Sequence, residues 1–406
     1  MTDQADSFFL PATRAEALAC LEDFLPKAVA YAARRNFVEP GHGNVSRLSP
    51  ATRTRLLLER ELRAAVRERH GAGPVAKFED EVGWRLYWKG WLELRPAVWE
   101  RYRSELGELS QRENERARAV ADGESGVAIM DHFARELVET GYLHNHARMW
   151  WASYWIHVER LPWQIGADFF LRHLLDGDAA SNTLSWRWVA GLHTPGKTYL
   201  VRRSNLEKYV HPDLLGPCRE GLSKLDDVVA LALPVEVPPE PAFMSPGECL
   251  IDPLAFGRVG LWLHDEDLLP EDSPLAPLRP AAIAAFAPIG LWKAEHYSER
   301  KVDFLRRALS DGADRAADFF QCPSGVIDTD DLEQGITRWA VESGLETVVA
   351  LRPFVGPLAD QLPAIREALA EKGITLVVVR RPEDVALMNE AKAGFFRFRE
   401  GLAVSS

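Results

Sequence analysis

Cysteine is scarce in this sequence, and its four cysteines lie far apart along the chain. No Cys-x-x-Cys pair occurs, which argues against a zinc site built from cysteine pairs, and we predict no metal site. Reduced thiols, either buried or at the surface, are therefore expected. The cysteines are Cys20, Cys218, Cys249 and Cys322.

The sequence also lacks a long apolar run. Without a stretch of about 18 apolar residues, no membrane-spanning helix is expected. The first ten residues, MTDQADSFFL, lack the basic region and the long apolar segment of a secretory signal, which favours a cytoplasmic protein. A glycine-rich GxGxxG phosphate loop is missing as well, so that motif predicts no nucleotide site.

Positive charge is in short supply, because the formal net charge is −12. Such a balance argues against a nucleic-acid partner, since phosphate binding needs Lys and Arg. The acidity is uneven, however: residues 1–225 hold 31 Lys+Arg against 30 Asp+Glu, and the remainder holds 17 against 30. The near-neutral first part can still carry a basic groove. Two highly charged segments, Arg53–His70 and Arg101–Arg118, are expected to face solvent.

Aromatic residues, by contrast, are concentrated between Gly141 and Gly191. This stretch also contains an Asp-Gly-Asp turn, an HNHARM segment and Asn182. Aromatic rings beside buried polar groups suggest a pocket for a flat ligand with polar edges. Its six tryptophans are Trp150, Trp151, Trp155, Trp163, Trp186 and Trp188.

Three motifs follow one another in this stretch. They are TGY-x-HN-x-x-RM-x-x-AS from Thr140, W-x-x-GA-x-x-F from Trp163, and DGD-x-A-x-N-x-x-x-W-x-W-x-AG from Asp176. Their order and spacing resemble the FAD-binding helical domain of the DNA photolyase/cryptochrome family. The resemblance implies a mostly α, FAD-binding domain of photolyase type. One branch of that family holds an iron–sulfur cluster on four cysteines, but the wide scatter of the cysteines here argues against one.

An earlier segment resembles the part of the family that wraps the FAD pyrophosphate. It runs Tyr-x-x-x-Arg-Asn and then, after a glycine-rich turn, Asn-Val-Ser-Arg-Leu-Ser-Pro. A turn that enters a helix offers unpaired N–H donors to an anion. Val45 stands where the family usually has Thr, so one hydroxyl contact is lost while the backbone donors remain. The cofactor-binding residues implied here are Tyr31, Arg35, Val45, Ser46, Arg47, Leu48 and Ser49.

The segment from Lys77 to Trp88 resembles a family helix that serves both cofactor and substrate. The resemblance implies that Arg85 binds the cofactor and that Glu81 and Trp84 line the substrate cavity. Glu81 and Trp84 are three positions apart, so one helical face presents both. Taken alone, the same pattern describes an amphipathic helix with a surface Glu and a core Trp.

The polar residues of the Gly141–Gly191 stretch take their roles from the resemblance. Asp176 can pair with Arg148 beside the flavin ring, because a buried carboxylate needs such a partner. Asp178 is expected to accept from the flavin edge near N3, and Asn145 is a further cofactor contact. Asn182 falls where photolyases place an Asn facing flavin N5. An amide cannot supply a proton there, which favours fully reduced anionic flavin over the neutral radical; the alternative is that Asn182 merely caps a helix.

Two tryptophans match the inner and middle members of the family's photoreduction chain, namely Trp186 and Trp163. The position of the usual outer member holds Val120. The neighbouring tryptophans of the stretch could replace it, or the tryptophans could only pack.

Two further residues match the lesion pocket of cyclobutane-dimer photolyases, Met149 and Trp188. Relatives that repair (6–4) photoproducts usually have His at the position of Asn145, as the acid that moves a hydroxyl. Here histidines flank that position instead, and the cyclobutane dimer is favoured, since its repair needs one electron and no acid. Lys197, Arg202, Arg203 and Lys208 could form a phosphate-contacting rim or an ordinary solvated loop.

Beyond a proline-rich stretch at Leu233–Pro241, strand-like and helix-like segments alternate, which predicts an α/β doubly wound parallel-sheet domain. It weakly resembles the family's antenna domain, in exchanged order, and its role is open between antenna-like, structural and partner-binding. Predicted boundaries are 1–225, a linker at 226–250, and 251–406. Predicted strands are Val259–Leu263, Ile283–Phe286, Thr347–Leu351 and Ile374–Val379; predicted helices are Lys301–Phe320, Asp330–Ser343 and Leu358–Lys372.

The resemblance as a whole implies a blue-light-dependent photolyase that splits cyclobutane pyrimidine dimers by electron transfer from reduced FAD. The partner would be UV-damaged DNA, with single-stranded and duplex forms both open. Catalytic roles fall to Asn182, Trp186, Trp163 and Glu81. The alternatives are a cryptochrome-like photoreceptor without repair activity and a flavin-free structural relative.

Overall fold

The computed structural model of the protein describes residues 9–112, 114–193, 197–234, 236–243 and 257–404. Its first part is helical, and its last part is a five-stranded parallel sheet with helices on both faces. The predicted architecture, a helical region followed by an α/β parallel-sheet domain, is confirmed. Among the described residues, no helix combines the length and the apolar character needed to cross a membrane.

The helices of the first part vary widely in length, and the 22-residue α5 is the longest of them. They are α1 (Arg14–Phe24), α2 (Tyr31–Arg34), α3 (Ser49–Arg53), α4 (Glu59–His70), α5 (Ala72–Glu93), α6 (Ala97–Ser110), α7 (Glu115–Ala121), α8 (Ala128–Thr140), α9 (Asn145–Ser153), α10 (Trp163–His173), α11 (Ala179–Val189), α12 (Arg203–Tyr209) and α13 (Pro212–Leu215).

Local sequence explains how the first helix begins and ends. Thr13 and Glu16 form the capping box that their spacing predicts, with Thr13 Oγ1 accepting from the N–H of Glu16. The chain then tightens into a 3₁₀ segment, Leu25–Ala30, which contains Pro26. Proline has no N–H to continue an α-helical ladder, so the helix ends before Tyr31 rather than running through it.

A π-helical turn follows α9 directly, at Tyr154–Val158. Such turns are rare, and they occur frequently at functional sites. This one carries Tyr154 and Trp155, in the middle of the Gly141–Gly191 stretch.

The sheet has the strand order β3-β2-β1-β4-β5, and all neighbouring strands are parallel. Because the order reverses between β1 and β4, the crevice at their carboxyl ends is the switch point of the domain. The elements are β1 (Val259–Leu263), β2 (Ala282–Pro288), α14 (Ile289–Ala294), α15 (Glu299–Phe320), β3 (Val326–Thr329), α16 (Leu332–Glu342), β4 (Thr347–Leu351), α17 (Leu362–Glu371), β5 (Thr375–Val379), α18 (Pro382–Met388) and α19 (Phe395–Val404).

Sequence patterns predict four of these strands but not β3. The predicted β1 and β4 have the observed bounds, and β2 and β5 differ by a few residues. β3 pairs only with β2 and lies at the sheet edge, where Val326 and Asp328 are exposed. An edge strand of this kind lacks the continuous apolar run that identifies a buried parallel strand.

Alternate side chains of the sheet pack against different partners. Leu261 belongs to a core shared with α15 and with N-terminal residues such as Leu21 and Leu57. Trp262 belongs to a second core, formed with α16 and α17. Since successive strand residues point to opposite faces, the helical part covers one face of the sheet.

One expectation of solvent exposure is wrong, and a second holds for most of its segment. The segment Arg53–His70 buries Arg53, Arg55 and Glu59, because carboxylates of the α/β domain neutralise its arginines. The segment Arg101–Arg118 is mostly exposed, as expected, but Tyr102 on α6 is buried because its ring packs against Trp163 of α10.

Candidate functional site

The start of α11 organises the candidate site. Asp178 caps this helix, and its Oδ1 accepts from the N–H of Ser181 at 2.7 Å. A carboxylate at this position satisfies a backbone donor that would otherwise lack a partner. Asp176, two residues earlier, is buried. The Asp-Gly-Asp turn thus places two carboxylates at one helix end.

Arginines from two other helices hold these carboxylates. Arg148 of α9 forms a two-pronged pair with Asp176, with Nη1–Oδ1 and Nη2–Oδ2 distances of 3.0 and 2.9 Å. Arg85 of α5 pairs with Asp178 and also approaches the carbonyl oxygen of Asp176 at 3.4 Å. The fork of a guanidinium matches a carboxylate in geometry, so each arginine fixes the orientation of its partner.

The charge state of Asp176 follows from these partners. Burial alone would raise the pKa of its carboxyl group, but the positive charges of Arg148 and Arg85 outweigh burial and lower that pKa. Ser49 donates a further hydrogen bond to the same carboxylate. Asp176 is therefore ionised at neutral pH, and it joins the Ser49 turn to α9 and α11.

Asn182 lies one turn into α11 and is buried. Its Nδ2 donates to the carbonyl oxygen of Ala167 on α10 at 2.7 Å. This bond holds the amide plane and directs the side-chain carbonyl away from α10. Gly166 allows the two helices to approach, since a Cβ there would lie 2.3 Å from Cη2 of Trp186.

The predicted pyrophosphate segment lies beside these groups. Arg47 has a positive φ of 54°, which is a turn conformation. Burial raises the pKa of Tyr142, and the charges of Arg47 and Asp176 also act on its hydroxyl, so both residues lie near that ring. Arg35 pairs with Glu81 at 3.1 Å, and Lys77 pairs with the same carboxylate at 3.0 Å. Tyr31 packs edge-on against Phe24 and Phe78, Ser46 accepts from the N–H of Leu48, and Val45 is half-buried.

This donor set suits a ligand that combines phosphates with a flat, polar-edged ring. Four guanidiniums, those of Arg35, Arg47, Arg85 and Arg148, surround the site, and they can balance anionic phosphates. Within the described residues, the buried Oγ of Ser181 has no hydrogen-bond partner. Unpartnered buried polar atoms are unfavourable, so they indicate a missing partner such as a ligand. The residues present therefore fit a flavin dinucleotide. Asn145, at the start of α9, is exposed.

The predicted tryptophan pair is buried but lies in two aromatic groups. Trp186 packs edge-on against Phe170 at 5.1 Å between ring centroids. Trp163 stacks on Tyr102 at 5.5 Å, and Tyr102 contacts Trp99 at 5.4 Å. The indole N–H of Trp99 donates to Asp360 of the α/β domain at 3.0 Å. The rings that follow Trp163 are therefore Tyr102 and Trp99, and not the neighbouring tryptophans of the Gly141–Gly191 stretch that the sequence suggests.

The structure does not bring all the predicted substrate residues into contact. Trp84 stacks on Phe395 of α19 at 3.8 Å and 9°, a contact that sequence reasoning missed. Trp188 contacts Tyr199 at 5.6 Å, and Met149 is half-buried on α9. Phe395 comes from the far end of the chain, and no short motif signals its position.

Both histidines that flank Asn145 are engaged. Nδ1 of His144 accepts from the N–H of His146, and its ring stacks on His42. Nδ1 of His146 lies 2.8 Å from the carbonyl oxygen of Asn36, and its ring stacks on Trp150 at 4.2 Å. Burial lowers the pKa of His144 and that of His146, so both are neutral at pH 7.

A cavity of about 10 Å³ lies between Asp178 and the switch point of the α/β domain. Burial raises the pKa of Glu266 there to about 7, and burial lowers that of Lys89. The candidate site therefore reaches the domain boundary. Residues that line this cavity include Arg53, Lys89, Asp178, Glu266 and Phe354.

Comparison with known proteins covers the same region. The family model described as the FAD binding domain of DNA photolyase matches residues 78–211. The chain is similar to the deoxyribodipyrimidine photo-lyase of Streptomyces griseus, 36% identical over 162 residues, which are 38% of this chain and 35% of the relative. It is also similar to a deoxyribodipyrimidine photo-lyase of Thermus thermophilus, 37% identical over 191 residues, 45% of this chain and 44% of the relative.

Among solved structures, a bacterial class III photolyase from Agrobacterium tumefaciens matches with a TM-score of 0.44 and 28% identity. The match covers 51% of this chain and 44% of that one. The chain spans less than half the length of the relatives described here.

Proposed function

The N-terminal half of this chain is an FAD-binding domain of the photolyase/cryptochrome family, followed by a parallel α/β domain, and on that premise we propose that the protein is a blue-light-dependent DNA photolyase. Its substrate is the cyclobutane pyrimidine dimer in UV-damaged DNA, and its cofactor is FAD. The proposed domain boundaries are residues 1–225 and 251–406, with a linker between them.

The observation that carries the proposal is the pair of arginine–aspartate bridges at the start of α11. Arg148–Asp176 and Arg85–Asp178 orient two carboxylates beside Asn182. A purely structural turn would not need two ion pairs that remain partly accessible. A flat ligand with N–H donors and carbonyl acceptors along its edge does need them.

When bound, reduced FAD supplies an excited one-electron donor, and the protein supplies position and electrostatics. Asp178 would accept from the polar edge of the ring, with the Arg148–Asp176 pair beside it. Asn182 presents its side-chain carbonyl with Nδ2 held by Ala167. Trp186 and Trp163, which lie in two aromatic groups, are the residues proposed for electron supply, and their burial excludes water.

The damaged bases must leave the DNA stack to reach a buried cofactor. Glu81, Trp84, Met149 and Trp188 hold them, and Arg35 and Lys77 both pair with the carboxylate of Glu81. Splitting the dimer needs an electron and no acid. The lowered pKa values of His144 and His146 support this choice of lesion, because neither histidine is a protonated acid at pH 7.

The test is repair of a thymine dimer by the reduced protein, in single-stranded and in duplex oligonucleotides, with blue light on and off. Light-dependent loss of the dimer is the expected result, and the ratio of the two rates gives the DNA preference. Absence of repair by a flavin-containing, photoreducible protein would contradict the proposal.

One observation favours a second candidate, a flavin photoreceptor without repair activity. The stacking of Phe395 on Trp84 covers a ring that a lesion pocket would leave open. Substitution of Phe395 by Ala separates the two functions: a photolyase keeps or gains repair when the ring is uncovered, whereas a photoreceptor shows none in either form.

A further inference from the structure

The C-terminal helix α19 carries an unusual combination of residues for this half of the chain. Residues 257–406 belong to an acidic region, yet the segment Lys392–Arg399, KAGFFRFR, has three cations and no carboxylate. It also has three phenylalanines. Cations interleaved with aromatic rings are typical of surfaces that bind unpaired nucleic acid.

The segment is anchored to α5 along its length. Phe395 stacks on Trp84, Arg399 pairs with Asp80 at 3.4 Å, and the hydroxyl of Tyr87 donates to the carbonyl oxygen of Ala393 at 3.0 Å. Phe395 and Phe398 are buried and fix the helix in place. The segment is therefore part of the surface that contains Trp84.

Two phenyl rings at this surface are left open. Phe396 is 71% exposed and Phe243, beside the segment, is 69% exposed. They are the most exposed phenylalanines in the part of the chain that the structure describes. A cation accompanies each ring: Cζ of Arg399 lies 5.6 Å from the centroid of Phe396, and Nζ of Lys392 lies 5.8 Å from that of Phe243.

We propose that α19 and Phe243 form a stacking platform for unpaired bases of DNA, next to Trp84. Bases stack on Phe396 and Phe243, and Lys392 and Arg397 contact the phosphates. The inference rests on the proposed function, because it assigns this surface to the DNA strand that flanks the lesion. It adds a binding surface from outside the FAD-binding domain.

Three cations beside the two rings favour this occupant, although Arg399 is paired with Asp80 and the exposed Glu390 and Glu400 flank the segment. Each exposed ring has a cation beside it, which argues against a purely hydrophobic protein partner. Exposed guanidinium and ammonium groups attract phosphates, and every base offers a π-face to a phenyl ring. Arg397 is exposed and adds a further cation that a polyanion can contact.

The experiment measures binding of an undamaged thymidine oligonucleotide to the full chain in the dark, across a range of salt concentrations. Phe396→Ala is expected to weaken binding at least about fivefold, and Phe396→Trp to restore it, because a larger ring stacks a base as well or better. Arg397→Ala is expected to reduce the salt slope of log Kd by about 0.7, the value for one phosphate contact on a single strand.

Two matched variants serve as controls. Phe319→Ala removes a phenyl ring that is 49% exposed on α15, and Arg366→Ala removes an exposed cation on α17. Both are expected to bind like the unmodified protein. Circular dichroism establishes that each variant is folded.

Equal affinity of Phe396→Ala and the unmodified protein would overturn the platform, as would tighter binding of the matched uridine RNA. This readout needs neither light nor lesion. If the protein shows no repair but Phe396→Ala weakens DNA binding, only the proposed function is contradicted. If the protein repairs the dimer but the variants bind DNA as tightly as the unmodified protein, only the platform is contradicted.

Discussion

Two groups of arginine–aspartate pairs use the same chemistry in different surroundings. In the first, at the start of α11, the side chains of Arg148 and Arg85 are 21% and 14% exposed. In the second, at the contact between the helical and α/β parts, the side chains of Arg55 and Arg381 are 2% exposed. The difference teaches that accessibility, rather than pairing, distinguishes a site that can receive a ligand from one that fixes two domains together.

The second group is a closed network. Asp267 accepts two bonds from Arg381, both at 2.8 Å, and one from Arg55 at 3.1 Å. Arg55 also pairs with Asp384 at 2.6 and 2.7 Å. Burial would raise the pKa of Asp267, but Arg381 and Arg55 outweigh it and lower that pKa. The carboxylate of Asp267 is thus satisfied by protein, so no ligand is needed there.

The largest expected effect is therefore the loss of stability in Asp267→Ala. Two buried guanidiniums would lose a shared carboxylate, and breaking a buried pair in this way costs about 3–5 kcal/mol. Urea unfolding measures the difference. The exposed pair Arg60–Asp272 supplies the control, because Asp272→Ala should change stability by less than about 1 kcal/mol. Equal effects of the two substitutions would contradict the contrast between buried and exposed pairs.

Asn182→Asp should have a smaller effect on stability and a specific effect on the cofactor. The carbonyl oxygen of Ala167 loses a buried donor, which costs roughly 1–3 kcal/mol. The new carboxyl group can deliver a proton, so the spectrum of the illuminated, partly reduced protein should shift toward that of a protonated flavin radical. An unchanged spectrum would remove Asn182 from contact with the flavin ring.

Lys301 provides a further test of the comparison, because its amine is fully buried at the same domain contact. Its Nζ donates to the carbonyl oxygen of Leu171 at 2.6 Å and lies 3.9 Å from the ring centroid of Tyr297. Burial lowers its pKa from 10.5 to about 7. Between these values the unfolded chain binds more protons than the folded one, so stability rises with pH across the window.

The measurement is the difference in unfolding free energy between the unmodified protein and Lys301→Met as pH is raised from about 7 toward about 10.5. The unmodified protein should gain up to about 1.4 kcal/mol per pH unit relative to the variant. Parallel pH profiles would show that Lys301 remains charged in the folded state.

The sequence predicts the elements of both domains well and the contacts between them poorly. Three correctly predicted features depend on neighbours within one segment or on a motif. They are the capping box at Thr13, the strands Val259–Leu263 and Thr347–Leu351, and the placement of Arg148 and Asp176. The aspartate partners of Arg55 lie 212 and 329 residues away, and no local pattern specifies them. Charged residues are ordinarily exposed, so the segment from Arg53 is predicted to be a solvated helix until its carboxylate partners are known.

The aromatic contacts show the same limit. Periodicity identifies Trp84 and Trp163 as aromatic positions of helices, and the family motif gives them roles. It does not identify Phe395 as the ring that stacks on Trp84, or Tyr102 as the ring that stacks on Trp163. Both partners come from outside the motif, and burial of Tyr102 overrides the polar character of its segment.

The most direct test of the account is the amount of FAD bound per chain in the purified protein, in Arg148→Met and in Arg203→Met. Arg203 forms an exposed pair with Glu207 on α12 and serves as the matched control. The account predicts close to one FAD in the unmodified protein and in Arg203→Met, and affinity weakened by roughly 30-fold or more in Arg148→Met. Equal flavin content in all three, or none in the unmodified protein, would contradict the claim that the accessible arginine–aspartate pairs hold the cofactor.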